Sequence, residues 1–99
     1  MPLNRLRKLN TIDCLWIYVL RILKDGPLHA YALRKAINDR FGFMPGTVTA
    51  YKVLYLLSKG GLVSKKQEGR HVIYTITEKG KSSLKGAADF YSDRAKMLK

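Results

Sequence analysis

The feature that most constrains this chain is a change of hydrophobic period at Gly60-Gly61. Upstream, the stretch PGTVTAYKVLYLLSKGGLV, Pro45 to Val63, carries apolar residues at the three-or-four spacing of a helix. Downstream, Leu62 to Glu68 and His71 to Thr77 are short runs in which Val, Ile, Tyr and Thr partly alternate, separated by Gly69 and Arg70. That arrangement predicts a β-hairpin joined directly to the end of a helix. The expected fold class is mainly α with a small β-hairpin, a winged helix-turn-helix with an additional C-terminal helix for dimerisation.

Within the stretch, Val48, Tyr51, Leu54 and Leu57 form the expected buried stripe, and Thr47, Thr49, Lys52 and Tyr55 face outward. Thr47 is read as the N-cap, after Pro45 has held Met44 extended. A face this small, polar and basic fits a groove about 12 Å wide and offers donors to phosphates and base edges. An ordinary amphipathic helix with a solvated face shows the same pattern. The hairpin favours the first reading, because Lys65, Lys66, Arg70 and His71 set cations at its tip and flanks. Such a wing can lie along a phosphate backbone or reach into a minor groove. The alternative is a hairpin that only closes the core.

Charge bears on the choice of partner. Nineteen Lys and Arg against seven Asp and Glu give a formal net charge of +12, spread from Arg5 to Lys99. A folded domain of this kind suits a polyanion, since each phosphate it neutralises releases counterions. A merely soluble basic protein and one that meets an anionic membrane share that charge. No membrane span is expected, because the apolar run from Cys14 to Leu20 is far short of roughly 18 residues. Arg5, Arg7 and Lys8 precede it as in a signal peptide, but no small-residue cleavage site follows. A cytoplasmic location is expected.

Three segments surround this centre: a basic N-terminal arm over residues 1–10, a DNA-binding domain over 11–77 and a dimerisation helix over 78–99. Helix one is expected from Thr11, its N-cap, through Asp13 in the first turn to about Lys24, where Asp25, Gly26 and Pro27 stop it. Ile12, Leu15, Trp16, Val19, Leu20 and Leu23 make one face, and Ile17, Tyr18 and Ile22 begin a second, more than one 99-residue chain can cover. A second helix over about residues 28–41 turns Tyr31, Leu33, Ala36 and Ile37 inward and Arg34, Lys35, Asn38 and Arg40 outward, ending at Gly42. The last helix starts at Thr77 as N-cap. Gly80 and Gly86 each cost it about 1 kcal/mol relative to Ala, so it needs support from packing. Leu84, Ala88, Tyr91, Ala95 and Leu98 step along it as a heptad seam, widened by Phe90 and Met97. With Leu15, Trp16 and Val19 of helix one, these five are the expected homodimer interface.

No catalytic or metal chemistry is indicated, and no cofactor is expected. His29 and His71 are the only histidines, without companions at ligand spacing, and His29 reads as a satisfied residue near a helix start. Cys14 lies in an apolar run, reads as a small buried hydrophobe and cannot form an intramolecular disulfide. No glycine-rich phosphate loop is present. The sequence indicates no small-molecule effector; Trp16 is the residue that could stack on a planar ligand at a dimer interface, and its helical spacing favours core packing.

The segments ILKDGPLHAYALRKAI, TAYKVLYLLSKGGLV and GRHVIYTITEKG resemble the PadR-like family of winged-helix transcription regulators in order and spacing. The resemblance spans about residues 12–98, with GPLHAY and Y-x-I-T-E-K-G the most distinctive motifs. It implies a dimer joined through the first and last helices, the third helix in the major groove and the wing on the flanking backbone. The short last helix looks like the small subclass without a separate C-terminal domain. The family's Gly-Thr-Leu-Tyr-Pro run stands here as Gly46-Thr47-Val48-Thr49-Ala50-Tyr51-Lys52, so that Tyr51 matches the family tyrosine across two added residues. Tyr51 is counted with Thr47, Thr49, Lys52, Lys65, Lys66, Arg70 and His71 as a DNA-binding candidate. The expected function is that of a sequence-specific regulator of double-stranded DNA, a repressor, acting as a homodimer. A coat protein that binds DNA without sequence choice is the alternative, and a winged domain whose exposed helix meets a protein partner is another.

Overall fold

The computed structural model describes residues 14–99. Helix α1, Leu15–Lys24, buries Leu15, Val19, Leu20, Ile22 and Leu23, so half of its ten side chains enter the core. Each such side chain contributes about 1.5–3 kcal/mol when taken fully out of water, which outweighs the modest helix propensity of a segment rich in β-branched and aromatic residues. Asp25 caps the end and accepts from two arginines, Arg21 at 3.0 Å and Arg40 at 2.9 Å. That pair of bonds ties the exit of α1 to the far end of the next helix. Thr11, Asp13 and the arm over residues 1–10 lie outside the described residues. Cys14 is half-buried at the mouth of α1, more open than its apolar run suggests.

Gly26 and Pro27 lead into a two-residue strand, β1 (Leu28–His29), where the sequence reading starts a helix. Helix α2, Ala30–Phe41, begins two residues later and takes the His29 ring as its cap, with Nδ1 accepting the Ala32 N–H at 3.4 Å. It ends as expected at Gly42, whose φ of 80° lets its N–H return to the Asn38 carbonyl. Leu33 and Ile37 point inward, but Tyr31 does not: it is 64% exposed. Phe41 and Phe43 both meet the Tyr18 ring edge-on, at 4.8 and 5.1 Å, and so anchor the connection between α2 and the next helix on α1. Arg34 donates through Nε to the Pro45 carbonyl at 2.9 Å. Pro45 itself is fully buried.

Helix α3 spans Thr47–Lys59, with Gly46 and not Thr47 in the cap position. Its inward stripe is Ala50, Leu54 and Leu57, flanked by the half-buried Val53. Val48 and Tyr51 therefore belong to the outer face, at 82% and 52% exposure, against the expected phase. Leu54 and Leu57, which join the core, set the phase, and Ala50 lies one turn before Leu54 on the same buried side, which leaves its neighbours Val48 and Tyr51 outside.

Strands β2 (Val63–Glu68) and β3 (His71–Ile76) pair from Val63 opposite Ile76 to Glu68 opposite His71, and β1 adds to the far side of β3. The three-stranded antiparallel sheet has the order β1-β3-β2. Gly69 opens the two-residue turn with a φ of 59°, the conformation that a type II′ hairpin asks of its first central residue.

Helix α4, Glu78–Leu98, is capped by Thr77, which accepts the Gly80 N–H on Oγ1 at 3.1 Å. The same hydroxyl donates to the Gly61 carbonyl at 2.6 Å, and the Thr77 N–H donates to Leu62 at 3.1 Å. Lys79 adds a bond from Nζ to the Gly60 carbonyl at 2.9 Å. Gly80 makes this closeness feasible, since a Cβ there would collide with the Leu62 carbonyl oxygen and stand 2.8 Å from Ile76 Cγ1. One corner thus holds the end of α3, the root of the hairpin and the start of α4.

Candidate nucleic-acid interface

Because Ala50, Leu54 and Leu57 fix the phase of α3, the side chains between them are set outward as a group. Thr47, Val48, Tyr51, Lys52 and Tyr55 are exposed, while Thr49 is half-buried at the margin. Arg34 positions the beginning of this face through its bond to the turn at Pro45. No acidic residue lies in the first turn of α3.

The hairpin stands beside that face. Lys65, Lys66 and Arg70 are all exposed, and among the described residues none of them, nor Lys52, pairs with a carboxylate. Their charge is thus available to an outside anion. Alternation along β2 separates the two lysines: Lys65, opposite Tyr74, shares the face packed on the helices, and Lys66, opposite Ile73, lies on the outer one. Gln67 donates from Nε2 to the Gly69 carbonyl at 2.9 Å and stiffens the tip.

Where β1 ends, the edge of β3 opens into a groove of about 350 Å³ lined by His29, Tyr31, Tyr51, Arg70, His71 and Tyr74, among others. The register explains how the histidines meet. His29 is opposite Ile73, two residues from His71 and on the same sheet face, and the two rings stack at 4.7 Å with 20° between their planes. Burial pushes the Tyr74 phenol above its ordinary range, with the Tyr51 hydroxyl adding to the effect, so Tyr74 stays a neutral hydrogen-bonding group at physiological pH. Tyr51 bridges the groove and the outer face of α3.

Residues 19–86 match the Transcriptional regulator PadR-like family. The chain belongs to that family. Solved PadR-like structures share its fold: a PadR family regulator from Eggerthella lenta, 20% identical, aligns over 97% of this chain and 84% of its own with a TM-score of 0.80. A transcriptional regulator from Clostridium thermocellum, 22% identical, aligns over 84% of this chain and 87% of its own at 0.77. Bacillus subtilis PadR, solved in complex with operator DNA, is 23% identical and aligns over 76% of this chain and 46% of its own at 0.65. No curated protein matches the sequence.

On this PadR-like scaffold the eight DNA-binding candidates of the sequence lie on two neighbouring elements, α3 and the hairpin. Thr47, Tyr51, Lys52, Lys65, Lys66, Arg70 and His71 are exposed, and Thr49 is the half-buried exception. Val48 and Tyr31 are exposed beside these candidates, where their apolar character suggested burial. His29 is the satisfied residue at a helix start that the sequence suggests, and only its stacking on His71 was not foreseen.

The expected dimer residues divide into two groups. Leu15, Val19 and Leu84 are taken up by the chain's own core. Trp16 is half-buried, and Ala88, Tyr91, Ala95 and Leu98 are exposed, as are Phe90 and Met97. Along the described residues, no group of three or more His, Cys, Asp or Glu could hold a metal ion, and no helix is long and apolar enough to cross a membrane.

Proposed function

We propose that this PadR-like regulator binds double-stranded DNA sequence-specifically as a homodimer and acts as a repressor, with α3 in the major groove and the hairpin on the flanking backbone or minor groove. The observation that carries the reading is the outer face of α3, where an apolar Val48 at 82% exposure stands among Thr47, Tyr51 and Lys52 beside unpaired wing cations. An exposed valine has no role in solvating a helix. In a major groove it meets a thymine methyl, Thr47 bonds a base edge, and Lys52 donates to guanine O6 and N7, each good contact worth about 1–3 kcal/mol of discrimination. Bacillus subtilis PadR, solved with operator DNA, supports the partner.

The exposed part of the α4 seam, Ala88, Tyr91, Ala95 and Leu98, together with Trp16, supplies the surface for the second subunit. Two copies of α3 then face successive turns of the major groove roughly 34 Å apart, so the preferred site is an inverted repeat. The test selects bound duplexes from a random pool, then compares wild type and Lys52→Ala on the selected site and on a scrambled one at fixed salt. Wild type prefers the selected site, and Lys52→Ala loses affinity there more than on the scramble. Equal wild-type affinity for both would make the protein a DNA coat without sequence choice.

A further inference from the structure

The function proposed above gives the stacking of His29 on His71 no task of its own. We propose that the groove holding them is a binding site for one backbone phosphate of the duplex, and that His71 takes up a proton from solvent as the phosphate enters. This rests on the DNA-binding reading and assigns the groove a ligand and a linked ion.

Three observations converge on it. First, the groove is continuous with the reading face: Tyr51 belongs to the outer side of α3 and also lines the groove with Arg70 and both histidines. A duplex laid on α3 therefore brings its backbone past this opening. Second, the groups that surround the rings suit an anion. Arg70 lines the groove, Lys66 shares the outer sheet face, and the hydroxyls of Tyr31, Tyr51 and Tyr74 supply neutral donors. Glu68 is the one acid set opposite by the strand register, and no ion pair joins it to His71.

Third, the two rings are not equivalent. His29 Nδ1 accepts the Ala32 N–H, so its proton sits on Nε2, and adding a second would break the cap of α2. His71 has no such duty. In the proposed complex its ring, which lies 4.7 Å from that of His29, is the one that becomes the imidazolium. The phosphate stabilises that cation, and the cation adds a charge-assisted hydrogen bond to the phosphate. His29 is then a positioning residue: it fixes the plane of the ring that titrates.

The sign follows from linkage. Binding that takes up a proton strengthens as pH falls, and imidazole is the side chain whose ordinary titration lies between pH 5 and 8. Uptake averaging about half a proton across the range raises affinity about tenfold between pH 8 and pH 6. The experiment measures duplex affinity by fluorescence anisotropy across that range at constant ionic strength, for wild type, His71→Gln and His29→Asn. Wild type gains about tenfold; His71→Gln loses most of the gain. His29→Asn keeps a capping side chain and hence α2, yet shows a reduced gain because His71 has lost its platform. A flat wild-type profile, or an undiminished gain in His71→Gln, overturns the proposal while duplex binding itself stands. A chain that binds no duplex at any pH overturns the regulator reading and this site with it.

Discussion

Gly80→Ala is the substitution with the most sharply defined outcome. In an isolated helix the change adds about 1 kcal/mol of stability, because alanine is the better helix former. Here the new methyl would meet the Leu62 carbonyl oxygen and Ile76 Cγ1. The oxygen belongs to backbone and already accepts the Thr77 N–H, so it cannot step aside as a flexible side chain would. Overpacking of this kind costs about 1–3 kcal/mol, and shifting α4 to relieve it strains the Thr77 bonds to Leu62 and Gly61, worth about 1 kcal/mol each. A net loss of about 2–3 kcal/mol is expected. Gly86 lies on the same helix with nothing within 4 Å of its would-be Cβ, and Gly86→Ala should gain about 0.5–1 kcal/mol. Thermal unfolding of both variants at equal protein concentration reads this as a Tm lowered by about 8–24 °C for Gly80→Ala and raised by about 2–8 °C for Gly86→Ala. Two variants of equal Tm, or a stabilised Gly80→Ala, would refute the claim that α4 is held against the hairpin root by close backbone packing.

Other substitutions test the remaining surfaces. Arg70→Ala should weaken binding to specific and scrambled duplexes alike and reduce the slope of log affinity against log salt by about 1, measured by titration at several salt concentrations; unchanged affinity and slope would leave the hairpin as a closure of the core. Tyr91→Asp should shift the protein from dimer toward monomer in light scattering at micromolar concentration, because it sets an unpaired charge in the proposed seam, and a wild type that is monomeric at every concentration would remove the dimer from the proposal. Asp25→Asn should lower stability slightly at neutral pH. The hydrogen bond from Arg21, with the charges of Arg21 and Arg40, holds the Asp25 carboxyl below its ordinary value of 3.8. Its contribution is therefore present above that value and fades as pH falls through the lower folded one, so urea unfolding of variant and wild type should converge in strong acid. A gap that persists there would assign the effect to something other than charge.

Most of the fold was legible because the period changed where the structure changes. Gly42, Gly61 and the Gly69-Arg70 turn mark ends that glycine makes feasible, and Thr77 caps α4 as its sequence suggests. The phase of α3 was not legible. Hydrophobic size favours Tyr51 over Ala50 for the interior, whereas the face that carries Leu54 and Leu57 into the core takes Ala50 with it and leaves Tyr51 52% exposed. Tyr31 escaped as well, since a tyrosine at a helix start can stand in solvent with its hydroxyl hydrated, and it is 64% exposed. Two residues of β1 carry no period at all, and their pairing with Ile73 and Tyr74 arises only once the hairpin exists. The role of Gly80 was half visible: its cost to the helix is written in the sequence, its reason lies across the chain at Leu62. The candidate site followed the same division. Its cations were countable in advance, but the meeting of His29 with His71, separated by most of the domain, depends on strand register.

The corner at Gly60-Gly61 has a mechanical meaning. Thr77, Lys79 and Gly80 clamp the first turn of α4 to the carbonyls that end α3, leaving no hinge between the two. Twenty-one residues of helix make a rod roughly 30 Å long, and a tilt of about 5° displaces its far end by roughly 2.6 Å. In a dimer joined along that rod, a small rotation at the seam becomes a change in the distance between the two copies of α3. In the proposed dimer the two copies of α3 would then act as the jaws of a caliper, and the stiffness of one corner would set how far a site departs from its proper spacing before both jaws can no longer close on it.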